Sequence, residues 1–174
     1  ILDRFEAAGG TFLDTANCYN QWVVPKDGGE SEELIGRWLR SRGAAGRMVV
    51  ATKIGCRTTV PGEPTPDRFE GLAAPTVRKA AQESLRRLGL DQVGLLYAHY
   101  DDRSVPLEET VGAFADLAAE GAAAVLGVSN VATWRVERAR RIAAEHGWAR
   151  YTCVQQAGSY LWPRPSRGQL HVVT

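Results

Sequence analysis

The sequence predicts an α/β fold of parallel-barrel type, and two observations predict it. Strand-like apolar runs alternate with amphipathic helical stretches along the whole chain, a spacing that implies βαβ units and a parallel sheet. Four chemically capable side chains, Asp14, Tyr19, Lys53 and His99, sit at or just past the C-terminal ends of those runs. In a parallel α/β barrel such ends converge on one face, where active sites are built.

The elements follow in order. Residues 1–8 read as the end of a helix stopped by Gly9-Gly10, and residues 11–15 as a strand. A loop with Pro25 and Gly28-Gly29 leads to a helix with Ser31 as N-cap, Glu32 and Glu33 in its first turn and a stripe of Leu34, Ile35, Trp38 and Leu39. Residues 48–53 form the next strand, ending at Lys53. Residues 58–72 hold three prolines and read as a long loop. A helix spans 75–88, with Val77, Ala81, Leu85 and Leu88 on one face and Gly89 as its stop. Strand 93–98, helix 107–120, strand 123–128, helix 132–145 and strand 152–155 complete a single domain without linker or further repeat.

Lysine beside tyrosine favours the phenolate, aspartate keeps the lysine charged, and histidine orients or polarises an oxygen. Together they form a proton-transfer site suited to protonating a carbonyl oxygen. Taken singly, each has a plainer role: Asp14 as a strand-end cap, Tyr19 as a loop aromatic, Lys53 as a solvated strand end, His99 as a satisfied core histidine. Ser129, Asn130 and Thr133 could equally cap the helix that follows. Trp22 and Trp162, in loops after two strands, fit either a substrate wall or ordinary loop packing.

The motifs around these residues resemble the aldo-keto reductase family. The resemblance runs in order through Asp14-Thr15-Ala16-Asn17-Cys18-Tyr19, Gly29-Glu30-Ser31-Glu32-Glu33-Leu34-Ile35-Gly36, Ala51-Thr52-Lys53 and Leu95-Leu96-Tyr97-Ala98-His99-Tyr100-Asp101-Asp102. It continues through Ser84-Leu85-Arg86-Arg87-Leu88-Gly89, Pro106-Leu107-Glu108-Glu109-Thr110 and Gly127-Val128-Ser129-Asn130. It implies NAD(P)H-dependent reduction of an aldehyde, ketone or sugar carbonyl, with Tyr19 as general acid. Lys53 and Asp14 would tune it and His99 would orient the substrate. Asp14, Ser129, Asn130 and Gln155 would meet the cofactor, the last three at its nicotinamide carboxamide. Gln155 is preferred to the adjacent Gln156 by motif alignment. NADP is expected from family habit, with NAD not excluded. Members of the family also serve as cofactor-binding regulatory subunits, which keeps a non-catalytic role in view.

The resemblance also implies a (β/α)8 TIM-barrel type, incomplete here. Five strands correspond to strands 2 to 6, and 174 residues fall short of the roughly 250 typical of the barrel. The chain is therefore expected to be part of a longer protein, its strands 1, 7 and 8 lying elsewhere. The alternative is a short chain whose open edges need a partner or a second copy, as in a homo-oligomer. The loops that hold the cofactor's phosphates in the family follow the last two strands. Two departures stand out: Gly94 where the family often has an aspartate, and Ala122-Ala123-Ala124 where a basic residue is usual.

Composition narrows the function classes. A net charge of +1 supplies no field for nucleic acid, and Arg135, Arg138, Arg140 and Arg141 read as a solvated helix face. Three cysteines without a Cys-x-x-Cys pattern and three scattered histidines argue against a disulfide framework or a metal cage and suit a reducing cytoplasm. No apolar run reaches the roughly 20 residues that span a bilayer. Neither a Gly-x-Gly-x-x-Gly nor a Walker loop is present, so Rossmann and P-loop readings fail; the resembled family binds its dinucleotide without either. The expected partner is a small-molecule carbonyl substrate.

Overall fold

Strand alternation with helices produces one parallel sheet in sequential order. A computed structural model describes residues 1–23, 28–158 and 161. The strands are β1 (Phe12–Asp14), β2 (Val49–Ile54), β3 (Leu95–Ala98), β4 (Leu126–Ser129) and β5 (Tyr151–Gln155). They pair in the order β1-β2-β3-β4-β5, each neighbouring pair parallel. Helices α1 (Leu2–Ala7), α2 (Glu30–Arg42), α3 (Ala74–Leu88), α4 (Leu107–Ala119) and α5 (Thr133–His146) alternate with them. The expected α/β fold, a partial (β/α)8 barrel, is what the chain forms.

Every residue of β3 and β4 is buried. One face packs on the helices through a core that includes Val50, Ile54, Leu96, Leu126, Val128, Val77 and Phe114. The other carries a small cluster of Ala51, Leu95 and Tyr97, with Cys153 against it. Lys53, two residues beyond Ala51, projects to this same side by strand alternation. Gly127 is required here, because a Cβ would lie 2.6 Å from the Tyr97 ring.

The sheet curls rather than lying flat. β1 and β5 are its two edges, yet Gln155 at the end of β5 reaches Asp14 at the end of β1, Nε2 to Oδ2 at 3.1 Å. The C-terminal ends of all five strands therefore surround one mouth.

Several elements begin differently from the sequence expectation. Ser31 does not cap α2: the helix starts at Glu30 after Gly29, which adopts φ 100°, and the Ser31 hydroxyl bonds Thr15 Oγ1 at 2.7 Å instead. The tertiary partner outcompetes the local one. The ladders of β3 and β4 start later than residues 93 and 123, which join only through an isolated bridge between Val93 and Ala123. Residues 58–72 are not a plain loop, since Thr58 and Phe69 form an antiparallel bridge around a 3-10 turn at Pro66–Arg68. Arg135 is not on a solvated face: it pairs with Asp101, both side chains largely buried. α5 is preceded by Ala132 with no side-chain cap, which leaves Ser129, Asn130 and Thr133 without a capping role.

α2 and α3 are locked together behind β2. A Cβ on Gly36 would lie 2.3 Å from the Arg87 carbonyl oxygen, so glycine sets their close approach. Within that contact Glu32 is fully buried, accepting from Thr52 Oγ1 at one oxygen and from Arg87 Nε at the other, 2.7 Å away. Removing one member of a buried pair costs far more than the pair contributes, because it strands a charge. Arg87→Met is expected to lower unfolding free energy by about 3–5 kcal/mol, measured by urea denaturation. A loss under about 1 kcal/mol, the range of exposed pairs, would contradict the locking role.

Candidate active site

Lys53 brings the four residues together. It is the next-to-last residue of β2, fully buried, and its ammonium donates to three oxygens. These are Asp14 Oδ2 at 2.7 Å, the Thr15 carbonyl at 2.8 Å and the Tyr19 hydroxyl at 2.9 Å. An ammonium has three protons, and all three are used. A buried charge is tolerable only when paired and hydrogen-bonded in this way.

That arrangement decides what Tyr19 can do. Its oxygen accepts from Lys53, so its own hydrogen is directed elsewhere and is free to be donated. The Lys53 nitrogen also stands 4.7 Å from the Tyr19 ring centroid. A phenolate formed on proton loss would face a fixed positive charge at hydrogen-bond distance.

Tyr19 is placed by backbone and side-chain ties on either side of it. The chain beyond β1 continues alongside β2, with Thr15 N–H to the Ala51 carbonyl and Asn17 N–H to the Lys53 carbonyl, both at 3.0 Å. Asn17 Nδ2 donates to Glu70 at 2.7 Å, and the same Glu70 oxygen accepts from Gly55 N–H at 2.9 Å. Gln21 donates to the Cys56 carbonyl at 3.0 Å and accepts from Thr58 N–H at 2.8 Å. The sequence gives no local signal for these roles of Asn17, Gln21 and Glu70, because their partners lie 15 or more residues away and form no periodic pattern. Burial raises the Glu70 carboxyl above its ordinary value, with Asn17 and Gly55 opposing the shift.

His99 follows β3. Its backbone N–H bonds the Ile54 carbonyl at 3.0 Å, and its ring meets Tyr19 edge-on with centroids 6.0 Å apart. Burial first, and the Lys53 ammonium second, push its pKa from an ordinary 6.5 down to about 4, with Asp14 opposing. The imidazole is neutral near pH 7.

Gln155 bonds Asp14 as described. Asn130, held at φ 56°, donates from Nδ2 to Ser129 Oγ at 3.1 Å and to the His99 carbonyl at 3.3 Å. Gln156 points elsewhere, donating to the Val131 carbonyl. Trp22 is largely exposed and contacts the Tyr19 ring edge-on at 6.0 Å. Tyr19, Asn20, Trp22, Glu30, Ser31 and Leu34 line a groove of about 470 Å³. Trp162 lies outside the described residues. Among those residues no group of histidine, cysteine or carboxylate side chains could hold a metal ion.

Comparison with known proteins settles the family. The Aldo/keto reductase family model matches residues 1–173. The chain belongs to the aldo-keto reductase family. It is 37% identical over 158 residues to norsolorinic acid reductase stcV of Emericella nidulans, covering 90% of this chain and 38% of the relative. It is 32% identical over 151 residues to an aryl-alcohol dehydrogenase [NADP(+)] of Phanerodontia chrysosporium, covering 84% and 37%. Aldo-keto reductase str7 of Strobilurus tenacellus is 37% identical over 142 residues, with 82% and 37% covered. The chain spans a little over a third of the length of these relatives.

The pKa of His99 has a consequence for stability. In the unfolded chain the ring returns to 6.5, so between about pH 6.5 and 4 the unfolded state binds a proton that the folded state refuses. The contribution is complete above pH 6.5 and is lost as pH falls toward 4. Lowering pH from 7 to 5 is expected to destabilise the wild type by up to about 2 kcal/mol more than a His99→Gln variant. Thermal melts at the two pH values measure this, and equal losses would contradict the buried neutral ring.

Proposed function

We propose that this chain carries the catalytic site of an NADP(H)-dependent oxidoreductase that interconverts a carbonyl compound and its alcohol. The observation that carries the reading is the Lys53 ammonium bound at once to Asp14 and to the Tyr19 oxygen, with neutral His99 beside the same phenol.

In the reduction direction Tyr19 donates its proton to the carbonyl oxygen as the general acid. Lys53 stabilises the phenolate left behind, and Asp14 holds Lys53 charged and in place. His99 orients the carbonyl by donating a second hydrogen bond. When bound, the reduced nicotinamide supplies the hydride that the carbonyl carbon accepts. The nearby donor set suits its carboxamide: the Ser129 hydroxyl and the Asn130 and Gln155 amides offer both donors and acceptors at adjacent strand ends. Asp14 sits next to Gln155 and shares that site. NADP is favoured over NAD because a relative bears NADP(+) in its name. Three unpaired cysteines and the absence of any helix among the described residues able to cross a membrane suit a cytoplasmic enzyme.

The substrate class we favour is an aromatic aldehyde or ketone. Trp22 and Leu34 give the groove beside Tyr19 two large exposed apolar walls, and one relative is named for aryl alcohols. Trp22 then acts on substrate rather than on loop packing.

Tyr19→Phe tests the mechanism, since it keeps the ring and removes the proton. In the longer protein of which this chain is expected to be part, with NADPH and an aryl aldehyde, kcat should fall roughly 10²–10⁴-fold while NADPH affinity stays within about twofold of wild type. Turnover by the variant at close to the wild-type rate would overturn the assignment of Tyr19.

A further inference from the structure

Cys18, the residue before Tyr19, is buried between β1 and the site, packed with Ala16 and Cys56. Its sulfur lies 3.5 Å from Nδ1 of His99, the one hydrogen bond made by that ring among the described residues. The His99 backbone is already fixed, its N–H on Ile54 and its carbonyl on Asn130. What the backbone leaves undetermined is the rotation of the ring and which nitrogen carries its single proton. Both bear directly on the reaction. A carbonyl oxygen placed between Tyr19 and His99 needs a donor from each. An imidazole whose site-facing nitrogen carried a lone pair would repel it.

We propose that Cys18 is a positioning residue: its thiol donates to Nδ1 of His99 and thereby fixes the imidazole as the Nε2–H tautomer, the donor form. The proposal rests on the carbonyl-reductase reading of the site and deepens it. Two assignments fit the 3.5 Å contact, and the chemistry chooses between them. A thiol sulfur is a weak acceptor, whereas a neutral imidazole nitrogen is a good one, so the hydrogen belongs on sulfur and points at Nδ1. Burial keeps that hydrogen in place by pushing the Cys18 thiol up to about 12. The ring, held neutral, then carries its proton on Nε2, on the far side from the thiol. Cys18 does not touch substrate, and its effect passes entirely through His99.

Histidine ¹⁵N NMR reads the tautomer directly, and the protein has only three histidines, with His99→Gln assigning the one of interest. At pH 7 wild type should show a protonated Nε2 and a bare Nδ1. Cys18→Ala and the bulkier Cys18→Val should both shift His99 toward a tautomer mixture. Each should lower kcat for carbonyl reduction about three- to tenfold, the range for one neutral hydrogen bond, with NADPH affinity unchanged. Cys18→Ser retains a donor and should restore both the Nε2–H signature and most of the rate. A wild-type ring protonated at Nδ1 overturns the proposal, as does a Cys18→Ala or Cys18→Val protein with unaltered tautomer and rate. A Cys18-dependent Nε2–H signature in a protein that reduces no carbonyl compound would instead sink the proposed function and leave the Cys18–His99 bond standing.

Discussion

The buried ammonium of Lys53 is the constraint on which the site depends. Taking a lysine out of water is prohibitive unless its protons find acceptors, and the fold supplies three within 2.9 Å. Those acceptors all come from the segment that begins in β1 and turns at Tyr19. Satisfying the lysine therefore fixes the distance between β2's end and the segment that carries the phenol. The same charge helps to keep His99 neutral. One interaction thus sets the position of Tyr19 and the ionisation of its neighbour.

The surroundings of that ammonium are built to hold it. Behind β2, the fully buried Glu32 joins Thr52, the residue before Lys53, to Arg87 of α3. In front, Glu70 and Gln21 fasten the Tyr19 segment to the chain that follows β2. Rigid support of this kind would keep the proposed proton donor aligned, since small misplacements of reacting groups cost large factors in rate. The groove beside Trp22 stays open by contrast, as the substrate entrance of the proposed function would need to be.

The sequence displays the strands and helices because their periodicities are local, and the four chemical residues because they end those strands in ordered motifs. Gln155 was placed by motif alignment, and its bond to Asp14 comes from curvature of the sheet, which no local pattern encodes. Ser31 and Arg135 depart from their local reading for a related reason. Each has a sound local role, as a helix cap or a solvated face, and each is claimed by a partner distant in sequence, Thr15 and Asp101. Glu70 sits inside a proline-rich stretch that looks like plain loop until Thr58 and Phe69 are seen to pair. Long-range polar contacts are invisible for the same reason throughout.

If Lys53 acts through Tyr19, the two residues cannot contribute independently. A double-mutant cycle on kcat for aryl-aldehyde reduction, with Tyr19→Phe, Lys53→Met and the double variant, isolates their coupling. Lys53→Met alone should cost a large factor, and the same change in the Tyr19→Phe background should cost less than about threefold, within the usual error of additivity. A double variant whose loss equals the product of the two single losses would contradict the account.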